Sequence, residues 1–328
     1  MAKPDVNPLL PDATPAQVRA ILGAMRTIAE SGGAASDADK HAIESAAKYI
    51  FGVNATFDTI AAAPPQELVR TLLSSGLDTE AVKFLAVMAL VDGTLDTAKV
   101  AEVMRFADAL GIEARYLSEM IEAAHGKLQE ALADMTRANM ESITEKPWSG
   151  DVNTWLVPYS GDAADPAMAA KFEALGQLKD DTFGHAFWEH FKENGYAFPG
   201  APTALNAAFC VPHDSAHVLS GYNTTARGEL LVSTFTASMH RINPMAGHVL
   251  PVIFTWHLGI QINEVAGMEG GALDPNEFWH AWAGGAATTI DTFAPGWDFW
   301  SYVDVPLVDL RERWSIPAAG LDRPTRHT

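Results

Sequence analysis

Thr14-Pro15-Ala16-Gln17 places a capping hydroxyl, a proline at the first helical position and a capping-box glutamine in register, which commits the chain to a helix there. Signals of this kind recur through the first 145 or so residues, which are Ala-rich and poor in β-branched runs. Val100, Val103, Met104, Ala107 and Leu110 keep the i, i+3, i+4, i+7, i+10 spacing of one helical face. Gly111 stands where a helix C-terminus favours glycine. The expected fold class is all-α.

An internal echo supports this. MRTIAESGGAASDADKHAIESAAKYIFG, from Met25, and MALVDGTLDTAKVAEVMRFADALGI, from Met88, both read as helix, acid-plus-glycine turn, Asp at the next cap, then helix, at an offset of about 63 residues. A pseudo-twofold bundle is expected. The arrangement resembles the TerB-like (tellurite-resistance) helical domain over about residues 15 to 140. That family often has a glutamate just after its Asp-Gly turn, and this chain has Lys99 there, so no metal is assigned to this half. Asp92 and Asp96 are expected to build a turn and a helix cap.

At 328 residues the chain exceeds the roughly 150 of a one-domain prior. The texture changes at KPWSGDVNTWLVPYSGDAAD, so the expected division is a TerB-like domain over 1–145, a linker over 146–164 and a second helical domain over 165–328. In the second domain Asp165-Pro166 opens a helix with Met168, Phe172 and Leu175 on one face, and Phe183, Phe187 and Phe191 stripe the next. Seven of the nine tryptophans fall after position 185, an interior suited to a large apolar ligand as well as to an aromatic core. Net charge is 22 − 41 = −19, which repels phosphate backbones and excludes a nucleic-acid role. Cys210 is the only cysteine, so thiolate-rich zinc sites are excluded and a reducing compartment is expected. MAKPDVNPLLPDATPAQ lacks a basic start and an apolar core, which favours the cytoplasm. Ile242 to Asn263 carries no formal charge, but prolines, histidines and amides interrupt it. A buried core helix is expected there, with a tail-binding or membrane-dipping helix as the alternative.

The stretch richest in chemistry is Pro212-His213-Asp214-Ser215-Ala216-His217. A proline fits a helix N-terminus, and a helix opening there sets His213 and His217 one turn apart on one face, with Asp214 on a neighbouring row. Glu229 follows His217 by twelve positions; in a continuous helix it would lie about 18 Å along the axis, out of reach. Gly221 and Gly228 bracket a loop of turn-forming residues, and a second helix from about Glu229 to His240 would return the carboxylate to the imidazoles. Two imidazoles and two carboxylates suit zinc, manganese or ferrous iron, and the motif does not choose among them.

His-Asp-x-x-His, eleven residues, Glu is also the hallmark pattern of the coenzyme Q biosynthesis protein 4 family, which the chain resembles over about residues 165 to 317. DDTFGHAFWEHFKENG, HDSAHVLSGYNTTARGEL and WDFWSYVDVPLVDLRERWSIP carry the resemblance. It implies an all-helical fold and a divalent metal, commonly zinc, with iron or manganese as alternatives. It further implies a site for an isoprenoid lipid or prenylated quinone precursor, other quinone-biosynthesis proteins as partners, and a cytoplasmic protein peripheral to the inner membrane. By position, the metal ligands are His213, Asp214, His217 and Glu229, with Glu229 and His213 as the catalytic candidates. The implied activity is oxidative removal of the ring carboxylate at C1 of a polyprenyl hydroxybenzoate. The alternative is a non-catalytic prenyl-lipid-binding scaffold that organises a biosynthetic complex. Self-association into a homo-oligomer is left open.

His240, His248, His257 and His280 sit in apolar surroundings and are expected as satisfied core histidines, although one could shuttle protons. Cys210 is expected as a small buried hydrophobe. Arg227 either meets a substrate carboxylate or isoprenoid phosphate or stays a solvated loop residue.

Overall fold

A computed structural model describes residues 9–261 and 267–317, apart from the side chains of Val152 and Asn153. The leader reading at residues 1–8, the end of the uncharged stretch at Ile262 and Asn263, and residues 318–328 of the second expected domain lie outside it. The described chain is all-helical. Its first half holds α1 (Pro15–Ser31), α2 (Asp37–Phe51), α3 (Pro65–Leu72), α4 (Asp78–Met88), α5 (Thr97–Leu110), α6 (Arg115–Ala124) and α7 (Leu128–Thr144). The remainder holds α8 (Val152–Leu156), α9 (Pro166–Glu173), α10 (Phe183–Asn194), α11 (Ala207–Ser220), α12 (Ala226–Met239), a π-helical segment (Pro244–Val249), α13 (Leu250–Trp256), α14 (Pro275–Ala287) and α15 (Leu307–Arg313).

The local signals act as the chemistry requires. Thr14 accepts from the Gln17 amide while the Gln17 side chain accepts from the Thr14 amide, closing the capping box of α1. Asp96 caps α5 and Gly111 ends it in the left-handed region at φ 68°. Asp165 caps α9, and Phe183, Phe187 and Phe191 are buried along α10. Residues 146–164, expected as irregular, contain α8, whose five residues are too few to print a period in sequence. They are also tied down: Asn206 donates from its backbone to the Leu156 carbonyl at 2.8 Å and from its side chain to the Trp155 carbonyl at 3.0 Å.

The two halves pack through one continuous buried cluster, running from Ile21 of α1 through Phe84 of α4 to Trp279 and Trp282 of α14. Phe84 meets Trp279 edge-on at 5.4 Å between ring centroids, and α14 lies along both α2 and α12. His257 crosses the same boundary, donating from Nε2 to the Val91 carbonyl at 3.1 Å and accepting from the Leu273 amide. The uncharged stretch becomes the π segment and α13, broken at Trp256 and buried from Met245 to Phe254 except at Val252. Among the described residues no helix is long and apolar enough to cross a membrane.

Candidate metal centre and cavity

The helix carrying the two histidines begins at Ala207 rather than at Pro212. Asn206 caps it by accepting from the Ala208 amide, and the alanines ahead of the proline extend it toward its N-terminus. Pro212 therefore lies inside the helix, and the Thr292 hydroxyl donates to its carbonyl at 3.1 Å. His213 and His217 still stand one turn apart. Gly221 ends α11 at φ 82°, Asn223 folds the turn by accepting from the Thr225 amide and hydroxyl, and Thr225 caps α12. Gly228, expected in the loop, is instead in the first turn of α12. A Cβ there would come within 1.9 Å of the Asn223 carbonyl oxygen, so this tight return requires glycine. The return delivers Glu229 to the same turn, where the helix dipole favours a carboxylate.

Three donor atoms converge. His213 Nε2 and His217 Nε2 are 3.2 Å apart, and Glu229 Oε2 lies 3.3 Å from the first and 3.4 Å from the second. His217 Nδ1 is 3.0 Å from the Tyr222 carbonyl, which fixes that nitrogen as the N–H and leaves the Nε2 lone pair turned to the other donors. Facing lone pairs at these distances repel unless a proton or cation lies among them. Bonds of about 2.0–2.1 Å to a tetrahedral zinc separate neighbouring donors by about 3.3 Å, so the residues fit a small divalent cation by type and by spacing. Asp214 stands at the edge of the set. Its donor lies within 4.8 Å of both imidazole nitrogens, but its Oδ1 is engaged by His190 Nε2 at 3.0 Å.

Charge balance within the set is steep. Burial raises the Glu229 carboxyl, and the His217 and His213 imidazoles outweigh it, holding the group well below the usual carboxylate range. Burial lowers the His217 imidazole, and Glu229, joined by Asp214, outweighs that and carries it upward. His190 was not singled out from the sequence. It adjoins the Phe191 row of α10, packs its ring against His217 at 5.3 Å, and braces the centre from behind through Asp214.

The centre opens into a cavity of about 600 Å³. His213, Asp214 and Glu229 line it and His217 does not, so a ligand reaches the first three. Leu156, Phe191, Phe209 and Trp256 make apolar wall, while Met135, Asn139 and Met140 of α7 close the side contributed by the first half. Cys210 lines the wall too, buried and with its thiol pushed well up by burial. Arg227 is solvent-exposed, in the first turn of α12 rather than in the loop, where it pairs with Glu277 and ties the start of α12 to α14. His240, His248, His257 and His280 are buried, as expected.

No protein-family model matches the chain. No curated protein matches it significantly. Among solved structures, a candidate ubiquinone biosynthesis protein of Nostoc punctiforme PCC 73102 is similar at 18% identity, with a TM-score of 0.30, over 74% of this chain and 97% of the other. Similarity that slight carries no argument about activity.

Proposed function

We propose that this protein binds one divalent metal, zinc, iron or manganese, through His213, His217 and Glu229, with Asp214 beside them, and acts on a prenylated aromatic acid in ubiquinone-type quinone assembly. The observation that carries the reading is the convergence of three donors, 3.2 to 3.4 Å apart, two of which, His213 and Glu229, line a cavity walled in part by Leu156, Phe191, Phe209 and Trp256. The sequence resemblance to the coenzyme Q biosynthesis protein 4 family supplies the substrate class.

In the reaction, C1 of the ring loses its carboxyl group as carbon dioxide and gains a hydroxyl. This is a two-electron oxidation of the ring: water supplies the hydroxyl oxygen, and dioxygen takes up the two electrons and two protons and leaves as hydrogen peroxide. A divalent ion held by His213, His217 and Glu229 would supply Lewis-acid polarisation beside the cavity. The chain's own residues orient the ring. His213 and Glu229 face the cavity and meet its polar substituents, His217 is held behind them by Tyr222, and the aromatic walls exclude water and take the first part of the tail. Such a substrate resides in a membrane, so the protein works at the inner-membrane surface alongside other quinone-biosynthesis proteins.

Metal analysis of the purified protein should find about one divalent ion per chain, and His217→Ala should remove most of it, while Cys210→Ser leaves it unchanged. Zinc-, iron- and manganese-loaded protein is then given a ring-carboxyl-labelled prenyl hydroxybenzoate and oxygen. Label release is expected from at least one form, with Glu229→Gln folded but inactive. Release from none, with lipid bound and other enzymes dependent on the protein, selects the non-catalytic scaffold, in which the ion staples the α11–α12 hairpin.

A further inference from the structure

His248 lies in the π segment and lines the same cavity as His213, Asp214 and Glu229. Its Nε2 is 2.6 Å from Oγ of Ser142, a fully buried residue of α7 that is not part of the cavity wall. The contact exists because α7 and the π segment are pressed together. Asn139 Nδ2 donates to the Gly247 carbonyl at 2.7 Å, and a Cβ on Gly247 would come 3.0 Å from the Ala138 carbonyl.

Hydrogen-bond partners assign the protons. The His240 ring, 5.9 Å from that of His248, has both nitrogens on acceptors: Nδ1 at 2.8 Å from Asp291 Oδ2, and Nε2 at 3.2 Å from the Ser142 carbonyl. The His240 ring is thus held between Asp291 and the Ser142 carbonyl, beside His248. Burial first, then His240 and His213, push the His248 imidazole down to about 3, and the ring is neutral. The Ser142 hydroxyl has no other acceptor among the described residues. It therefore donates to His248 Nε2, and the proton of the neutral ring sits on Nδ1, on the side away from Ser142.

We propose that His248 positions the polar head of the ligand: its Nδ1–H donates to a ring oxygen or carboxylate of the prenylated aromatic acid, and Ser142 of α7 holds the imidazole in that tautomer. The inference rests on the metal-and-ring reading above and deepens it, because it gives the first half of the chain a part in recognising the ring. His248 is a positioning residue, acting beside the metal centre and outside its donor set.

The test uses the full-length, metal-loaded protein and two probes, 3-geranyl-4-hydroxybenzoate and geraniol, titrated calorimetrically. Wild type should prefer the ring-bearing probe. His248→Phe should lose roughly tenfold in affinity for that probe and nothing for geraniol, with unchanged metal content. His248→Asn, whose amide falls where Nδ1 was, should keep most of the preference, and His248→Gln should not. Long-range ¹⁵N–¹H spectra of histidine-labelled wild type should show His248 neutral and protonated at Nδ1, a resonance that moves when the ring probe is added. Ser142→Ala should shift that proton toward Nε2. A ring preference that survives in His248→Phe and His248→Gln, or a wild-type ring protonated at Nε2, overturns the inference and leaves the metal-and-ring reading intact. A wild type that binds neither probe, or both alike, overturns the two together.

Discussion

Lys99 and Asp39 hold the same third position in two helices, sixty residues apart, and meet as a buried ion pair with Nζ 2.9 and 3.0 Å from the two carboxylate oxygens. Ser36 caps the one helix as Asp96 caps the other, and both helices end on a left-handed glycine, Gly52 and Gly111. The repeat seen in sequence is thus joined to itself by opposite charges at equivalent places. Asp92, from the turn before α5, completes the group at 2.7 Å.

Lys99→Ala leaves two carboxylates facing each other with no cation, and denaturant unfolding should show a loss of about 3–5 kcal/mol. The pair Lys99→Met with Asp39→Leu should lose less, because neither partner is left buried alone. The acid limb carries a second signature. Burial raises the Asp92 carboxyl, but Lys99 and Thr94 outweigh it and hold it below its ordinary value. Its stabilisation is therefore present above that value and is lost as pH falls through the lower folded one. In Lys99→Ala this loss on acidification should shrink.

Glu119 behaves in the opposite sense. It is buried in α6, its Oε1 accepts from Arg115 at 3.1 Å, and its Oε2 has no hydrogen-bond partner among the described residues. Burial, only partly offset by Arg115, pushes its carboxyl up to about 7. A carboxyl raised on folding favours the native state at low pH, and that advantage is lost as pH rises from the unfolded value through the folded one. Glu119→Gln keeps an acceptor for Arg115, so it should stabilise the protein by about 1–3 kcal/mol at pH 8 and change little at pH 5. Thermal melts at the two pH values measure the difference.

Gly228→Ala should separate hairpin geometry from ligand chemistry. The added methyl meets the Asn223 carbonyl, so the turn must open, at a cost of about 1–3 kcal/mol. Glu229 then moves off the imidazoles with its carboxylate intact. Metal content should fall in this variant although every proposed ligand remains, and unchanged metal with an unchanged melt would contradict the geometry.

The helical class and the pairing of His213 and His217 were legible in the sequence because both rest on local spacing. Capping boxes and i, i+4 neighbours are fixed within a few residues of chain. Pro212 misled as to where α11 begins, since a proline marks a favourable start without forbidding an earlier one. Gly228 read as loop because its need for a missing side chain comes from Asn223, a contact set by the turn and not by propensity. His190 and Ser142 were illegible as site residues for a stronger reason. Their roles arise from contacts 24 and 106 positions away, to Asp214 and His248, and no local period encodes such a meeting.

Because α7 forms one side of the cavity and α10 to α13 most of the rest, whatever fills that space touches both parts of the chain at once. Its binding free energy is then linked to the seam between them. An occupant should slow hydrogen exchange along α7 as well as along α11 and α12, and a substitution that loosens Asn139 from Gly247 should weaken binding. The first half of the chain acts less as an attached module than as the second jaw of a clamp.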